Sequence, residues 1–170
     1  MKSYRLEGLA RNCPRDKFYA WYTDFSSEDP EIIDRHKEPT SGRMLSRKLV
    51  SRDGNKLRVE TVYQFFGRKM KGDMEIVLSP HDFTYKAFVV VAGMFEDHRS
   101  YHFFETPEGT KVVMEGSYRA KSLGMKVFDT FGLLKSMYVK DSKGVTDALC
   151  RAAEIELARA ALDGEGEVRV

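Results

Sequence analysis

The residues with the most chemical promise are Asp97, Arg99 and Tyr101, which alternate along one strand-like stretch. Alternate residues of a strand share a face, and Asp97 and Arg99 stand about 6.6 Å apart along it, within side-chain reach of one another. If that face is the buried one, Arg99 must find a carboxylate, a carbonyl or a ligand oxygen, because an unpaired charge in an apolar interior is costly. Such a trio could orient a carbonyl-bearing ligand, stabilise an enolate, or supply acid and base contacts. The competing arrangement is a one-residue slip near Ala92-Gly93, which exchanges the two faces and leaves both charges at a wet rim. No other cluster competes with these three. His98 and His102 are four residues apart, about 13 Å on a strand, and His36 and His81 fall in loops without matched ligands, so no metal is expected. The sequence contains no Gly-x-Ser-x-Gly turn, phosphate-cradling loop or dinucleotide fingerprint, and no cofactor is implied.

The elements that would carry this trio follow from periodicity. Tyr4 to Ala10 alternates as a first strand, and Pro14 opens a short helix with Phe18, Trp21, Tyr22 and Phe25 on one face. A second short helix is expected from Pro30 to about Arg35, and His36 to Gly42 reads as a loop. Six strands follow, Arg43–Ser51, Lys56–Phe66, Lys69–Leu78, Phe83–Val91, Phe95–Thr106 and Thr110–Lys121, punctuated by Asp53-Gly54, Ser79-Pro80 and Pro107-Glu108-Gly109. From Gly124 to Leu162 the apolar spacing turns helical, with Val127, Phe128, Phe131, Leu134, Tyr138, Val145, Leu149, Ala152 and Ile155 as one stripe. Gly132 and Ser142-Lys143-Gly144 are the places where this run could kink or pack closely.

This order predicts an α+β, helix-grip architecture: a seven-stranded curved antiparallel sheet wrapped around a long C-terminal helix, with two short helices after the first strand. Residues 1–162 form the domain and 163–170 a flexible tail. The alternation sets Val112, Met114, Gly116 and Tyr118 inward, opposite Phe95, Tyr101 and Phe103. The expected ligand-binding residues are Tyr63, Phe65, Met74, Tyr85, Phe95, Arg99, Tyr101, Phe103, Met114, Tyr118, Phe128 and Phe131. The same one-face pattern would arise if these side chains simply filled a core.

The chain resembles the START-like superfamily, also called SRPBCC, which includes birch-pollen-allergen-like, polyketide cyclase/dehydrase and coenzyme-Q-binding proteins. Element order over residues 3–162 carries the resemblance. The run from Asn12-Cys13-Pro14 to Trp21 and the segment Pro107-Glu108-Gly109-Thr110 support it locally. It implies a pocket between sheet and helix for lipids, isoprenoids, polyketides or other aromatic ligands. Three functions are compatible with it: a binder of a hydrophobic small molecule, a cyclase or dehydratase, and a chaperone or assembly partner module.

Composition narrows the class further. Among 170 residues, 28 basic side chains meet 26 acidic ones, an even balance that argues against a nucleic-acid partner. Cys13 and Cys150 are too few for a disulfide framework. With no apolar run long enough to span a bilayer and no signal-peptide core, the expected location is cytoplasmic, as monomer or homodimer.

Overall fold

A computed structural model describes residues 1–25, 42–65, 68–91 and 93–166. The expected helix at Pro30–Arg35, the loop at 36–41 and the turn at Phe66-Gly67 lie outside the described residues. The strands are β1 (Lys2–Arg11), β2 (Gly42–Asp53), β3 (Lys56–Phe65), β4 (Arg68–Ser79), β5 (Thr84–Val91), β6 (Phe95–Thr106) and β7 (Gly109–Ala120). They form one antiparallel sheet in the order β1-β7-β6-β5-β4-β3-β2. The six later strands are therefore a meander that receives β1 at its far edge. Helix α1 (Arg15–Tyr22) follows β1, and α2 (Leu123–Thr130) and α3 (Leu133–Gly166) complete the chain.

Period-two patterning dictates which side of the sheet is dry. On β3, Leu57, Val59 and Thr61 are buried while Arg58 and Glu60 are exposed; on β5, Tyr85, Ala87, Val89 and Val91 are buried. Val113 departs from this rule. It lies on the outward row of β7 yet is buried, between Glu7 and His102 in register.

The long C-terminal element is two helices rather than one. Gly132 takes φ +72°, a left-handed conformation that ends the first helix and lets the chain turn into the second. That break resets the helical phase, so the apolar run is not a single stripe: Leu134, Tyr138, Leu149 and Ala152 are buried, whereas Val127, Phe128 and Phe131, before the break, are exposed, as is Ile155 near the far end of the second helix. Gly144 causes no interruption, and the helix runs to Gly166, into the stretch expected to be a tail.

Helix α3 lies closest to the sheet over β1. A methyl group on Gly8 would stand 2.8 Å from Cys150 Sγ and 3.0 Å from Thr146 Cγ2, so the glycine is what permits this approach. Opposite Gly116, whose own added carbon would fall 2.3 Å from the Tyr4 ring, Tyr4 tucks into a notch in the sheet. Its hydroxyl there accepts a 3.0 Å hydrogen bond from Ser142 of α3. The main-chain N–H of Arg11 donates to Glu154 at 2.6 Å, fastening the other end of β1 to the same helix.

Two hairpin glycines separate backbone strain from crowding. Gly54 (φ +55°) has open space where a side chain would go, whereas Gly109 (φ +138°) has the Ala10 carbonyl oxygen 2.2 Å from that position. Gly54→Ala is expected to cost about 1 kcal/mol, the left-handed penalty alone. Gly109→Ala should cost roughly 3 kcal/mol or more, because strain and a backbone clash combine. Urea unfolding of the two variants checks the ranking.

Candidate functional site

Beneath the N-terminal half of α3 the helix stands away from the sheet, and a hollow of about 190 Å³ remains. Its floor is the inward row of the strands, including Val59 and Tyr63 of β3, Met70 and Met74 of β4, and Tyr85 and Val89 of β5. Its roof is Met137, Tyr138, Asp141 and Val145, one face of α3, and Tyr22 and Phe25 close one side. Tyr138 props the helix up: its ring stacks on Tyr118 at 4.5 Å and meets Phe95 edge-on at 5.5 Å. Tyr85 lies edge-on to Tyr101 at 5.5 Å and stacks with Phe25 at 6.2 Å, continuing the aromatic wall.

Asp97, Arg99 and Tyr101 all line this hollow. The β5–β6 register runs unshifted from Thr84↔His102 to Val91↔Phe95, so the slip considered from sequence does not occur there and the two charges face inward. Asp97 is 2% exposed and Arg99 22%, and Arg99 Nε donates to Asp97 Oδ2 at 2.5 Å. The second carboxylate oxygen, Oδ1, is buried with no hydrogen-bond partner among the described residues, and the same holds for the Tyr138 hydroxyl. Buried polar atoms seldom go unsatisfied, and an ionised carboxylate can only accept. Asp97 thus carries, in the wall of the hollow, an acceptor oxygen unpaired among the described residues.

Burial dominates the titration behaviour here. It lifts the Asp97 carboxyl above the usual aspartate value, against the lowering influence of Arg99. Burial also works against the Arg99 charge, but the adjacent Asp97 outweighs it and holds the guanidinium protonated. Desolvation pushes the Tyr63 phenol up to about 12, with Arg99 acting in the opposite sense. Tyr101, Tyr85 and Tyr138 are raised for the same first reason. The phenols are thus neutral hydrogen-bonding groups; Tyr101 is a poor proton donor in the acid–base sense, and Asp97 is the group suited to move a proton.

Of the other residues expected from sequence, Tyr63, Met74, Tyr85 and Phe95 line the hollow. Phe103, Met114 and Tyr118 do not: they are buried in solid packing, Phe103 against Phe18 and Tyr19, and Tyr118 under Tyr138. Phe128 and Phe131 are exposed, because the Gly132 break turns their helix face outward. The side chain of Phe65 lies outside the described residues. Gly116, on the same inward row, faces the Tyr4 ring and not the hollow.

Sequence reasoning missed Arg47 and Met44 for a definable reason. Strand β2 shifts register between Met44 and Ser46, and again between Leu49 and Ser51. A bulge puts residues three apart on one face, so strict alternation misassigns them. Arg47 brings a second guanidinium to the wall, 5.1 Å over the Phe25 ring, with its Nε unpartnered among the described residues. Tyr22 and Phe25 were visible as a helix face, but nothing local distinguished site from core. Among the described residues, no group of His, Cys, Asp and Glu is placed to hold a metal.

No protein-family model matches the chain, and no curated protein matches it. Solved structures do. TTHA0849 from Thermus thermophilus superposes with a TM-score of 0.68 at 20% identity, covering 94% of this chain and 99% of that one. The Zhui aromatase/cyclase from a Streptomyces species gives 0.69 at 11% identity, covering 92% and 96%. Ara h 8.0201 gives 0.59 at 12% identity, covering 89% and 97%. The fold is thus the helix-grip α+β fold of these structures, shared over nearly the whole chain at identities that speak to architecture alone.

The elevated Asp97 pKa has a consequence for stability. The folded protein binds this proton more tightly than the unfolded chain, so the contribution is full below the ordinary aspartate value and is lost as pH rises through the folded one. Relative to Asp97→Asn, the wild type should therefore lose stability on going from acid toward neutral pH. Paired urea titrations across that window measure the difference.

Proposed function

We propose that the chain binds an apolar, ring-containing small molecule in the hollow under α3, and that the ligand presents a hydrogen-bond donor to Asp97. The observation that carries this reading is the orphaned Asp97 Oδ1, fully buried beside a space of about 190 Å³. A carboxylate held by one guanidinium still has acceptor capacity to fill, and a hydroxyl or phenol on a guest would fill it. The remaining Arg99 N–H groups suit a carbonyl or hydroxyl oxygen next to that donor. Walls of tyrosine, methionine and valine favour flat apolar surface over charge. The size favours one or two rings over a long acyl chain, since an apolar cavity of about 150 Å³ already takes a benzene-sized guest.

A second reading rests on the same pair. Asp97 could remove a proton adjacent to a ligand carbonyl while Arg99 receives the enolate oxygen, the first step of an intramolecular ring closure. The aromatase/cyclase among the structural neighbours supports considering this chemistry. Binding without turnover is preferred because hydrogen bonding alone accounts for the orphaned oxygen.

Native mass spectrometry of freshly purified protein should reveal a bound small molecule that is released on unfolding. In titrations, 2-naphthol should bind at least tenfold more tightly than 2-methoxynaphthalene, a difference of about 1.4 kcal/mol, and Asp97→Leu should erase that preference. Val89→Phe, which fills the hollow, should abolish binding of both at a stability cost of about 1–3 kcal/mol. Equal affinity for the two probes in the wild type would sink the donor requirement; undiminished binding in Val89→Phe would sink the site. For the second reading, Arg99→Ala should abolish turnover, whereas under pure binding it weakens affinity about tenfold.

A further inference from the structure

Helix α2 is held to the protein largely through polar groups: Ser122 caps the helix by accepting from the Met125 N–H at 3.3 Å, and Asp129 accepts from Tyr118 Oη and Lys2 Nζ, both at 2.9 Å. Met125 packs against the core, but the helix's other large apolar residues face away. Leu123, Val127 and Phe131, at steps of four, form one outward stripe, with Leu123 80% and Phe131 74% exposed. Leu133, just past the Gly132 turn, extends it. The polar latch to Asp129 explains this orientation, for it commits the opposite face of α2 to solvent.

Within the segment that carries the stripe, the exposed charges have one sign. From Lys121 to Lys140 the exposed charged residues are Lys121, Lys126, Lys135 and Lys140, and the one acid, Asp129, is turned inward onto Lys2 and Tyr118. Lys121 pairs with Glu96, while Lys126, Lys135 and Lys140 form no ion pair among the described residues.

From this juxtaposition we infer that α2 and the first turn of α3 dock on the surface of an anionic lipid bilayer, with Leu123, Val127 and Phe131 in the headgroup region and the lysines over lipid phosphates. The alternative of a second copy fits poorly. A two-fold contact through this face sets the same lysines against each other. No helix among the described residues is long and apolar enough to cross a membrane, so the association is peripheral. One turn beyond the stripe, Met137 and Asp141 roof the hollow, which places that roof next to the bilayer. The docking inference does not depend on what the hollow holds.

Vesicle co-sedimentation tests it. The wild type should pellet with vesicles containing roughly a third phosphatidylglycerol in phosphatidylcholine, pellet poorly with pure phosphatidylcholine, and lose binding as salt is raised. The double variant Leu123→Ser/Phe131→Ser and the charge reversal Lys126→Glu/Lys135→Glu should each weaken anionic-vesicle binding at least tenfold with wild-type melting curves. Both changes are on exposed side chains outside the hollow, so 2-naphthol binding should be unchanged in them. The inference is overturned if the wild type stays in the supernatant, if it binds neutral vesicles equally, or if both variants bind as the wild type does. It is also overturned if sedimentation velocity shows concentration-dependent dimers that the double serine variant disperses, since a second copy then covers the stripe.

Discussion

The structure depends on how closely α3 can approach the sheet, and that distance differs along the helix. Over β1 the contact is nearly backbone on helix, because Gly8 has no side chain to hold Cys150 and Thr146 away. The helical surface there is small as well, with Ala148, Ala152 and Ala153 all buried. Toward the N-terminus of α3 the contact residue becomes Tyr138, and a ring standing on Tyr118 keeps the helix a full side chain above the strands. A rigid rod pinned low at one end and propped at the other must leave a wedge of space beneath it, and that wedge is the hollow. Protein interiors otherwise close to near-crystalline density, so space of this size is a property of the fold and not of loose packing.

The same geometry explains why an ion pair can sit on the inner face of the sheet. Asp97 and Arg99 share a strand face and satisfy one another in part, which offsets the cost of removing both from water. Asp97 and Arg99 both line the wedge, so the pair forms a polar spot in its wall. The tyrosines around them, their phenols raised by burial, add hydroxyls without adding charge. A largely apolar wall with a few fixed polar groups is the usual make-up of small-molecule sites, and the proposed binding function rests on it.

Beside the hollow the latch on Asp129 has a comparable role. Lys2 from β1 and Tyr118 from β7 reach the same carboxylate, tying α2 to the sheet edge that also anchors α3. These bonds draw the Asp129 carboxyl below its usual range although burial opposes them. The tie fixes the rotation of α2, and its outward apolar stripe follows from that rotation.

Whereas the direction of Asp97 and Arg99 waited on the register of β6 against β5, the amino-acid sequence alone determined the strand order, the polarity of each sheet face and the inward direction of Tyr63, Met74 and Tyr85. These follow from an alternation that local chemistry enforces along each strand. The tertiary structure decided the rest. Whether an inward residue lines space or fills it depends on the height of α3 above that point, so Phe103 and Met114 are core while Tyr85 meets the hollow, with nothing in their own segments to tell them apart. The bulges of β2 that bring Arg47 inward, and the left-handed Gly132 that turns Phe128 and Phe131 outward, each shift a periodic pattern by a fraction of its repeat. Periodicity reports which residues share a face, but the direction of that face after a break is set by contacts between segments far apart in the chain.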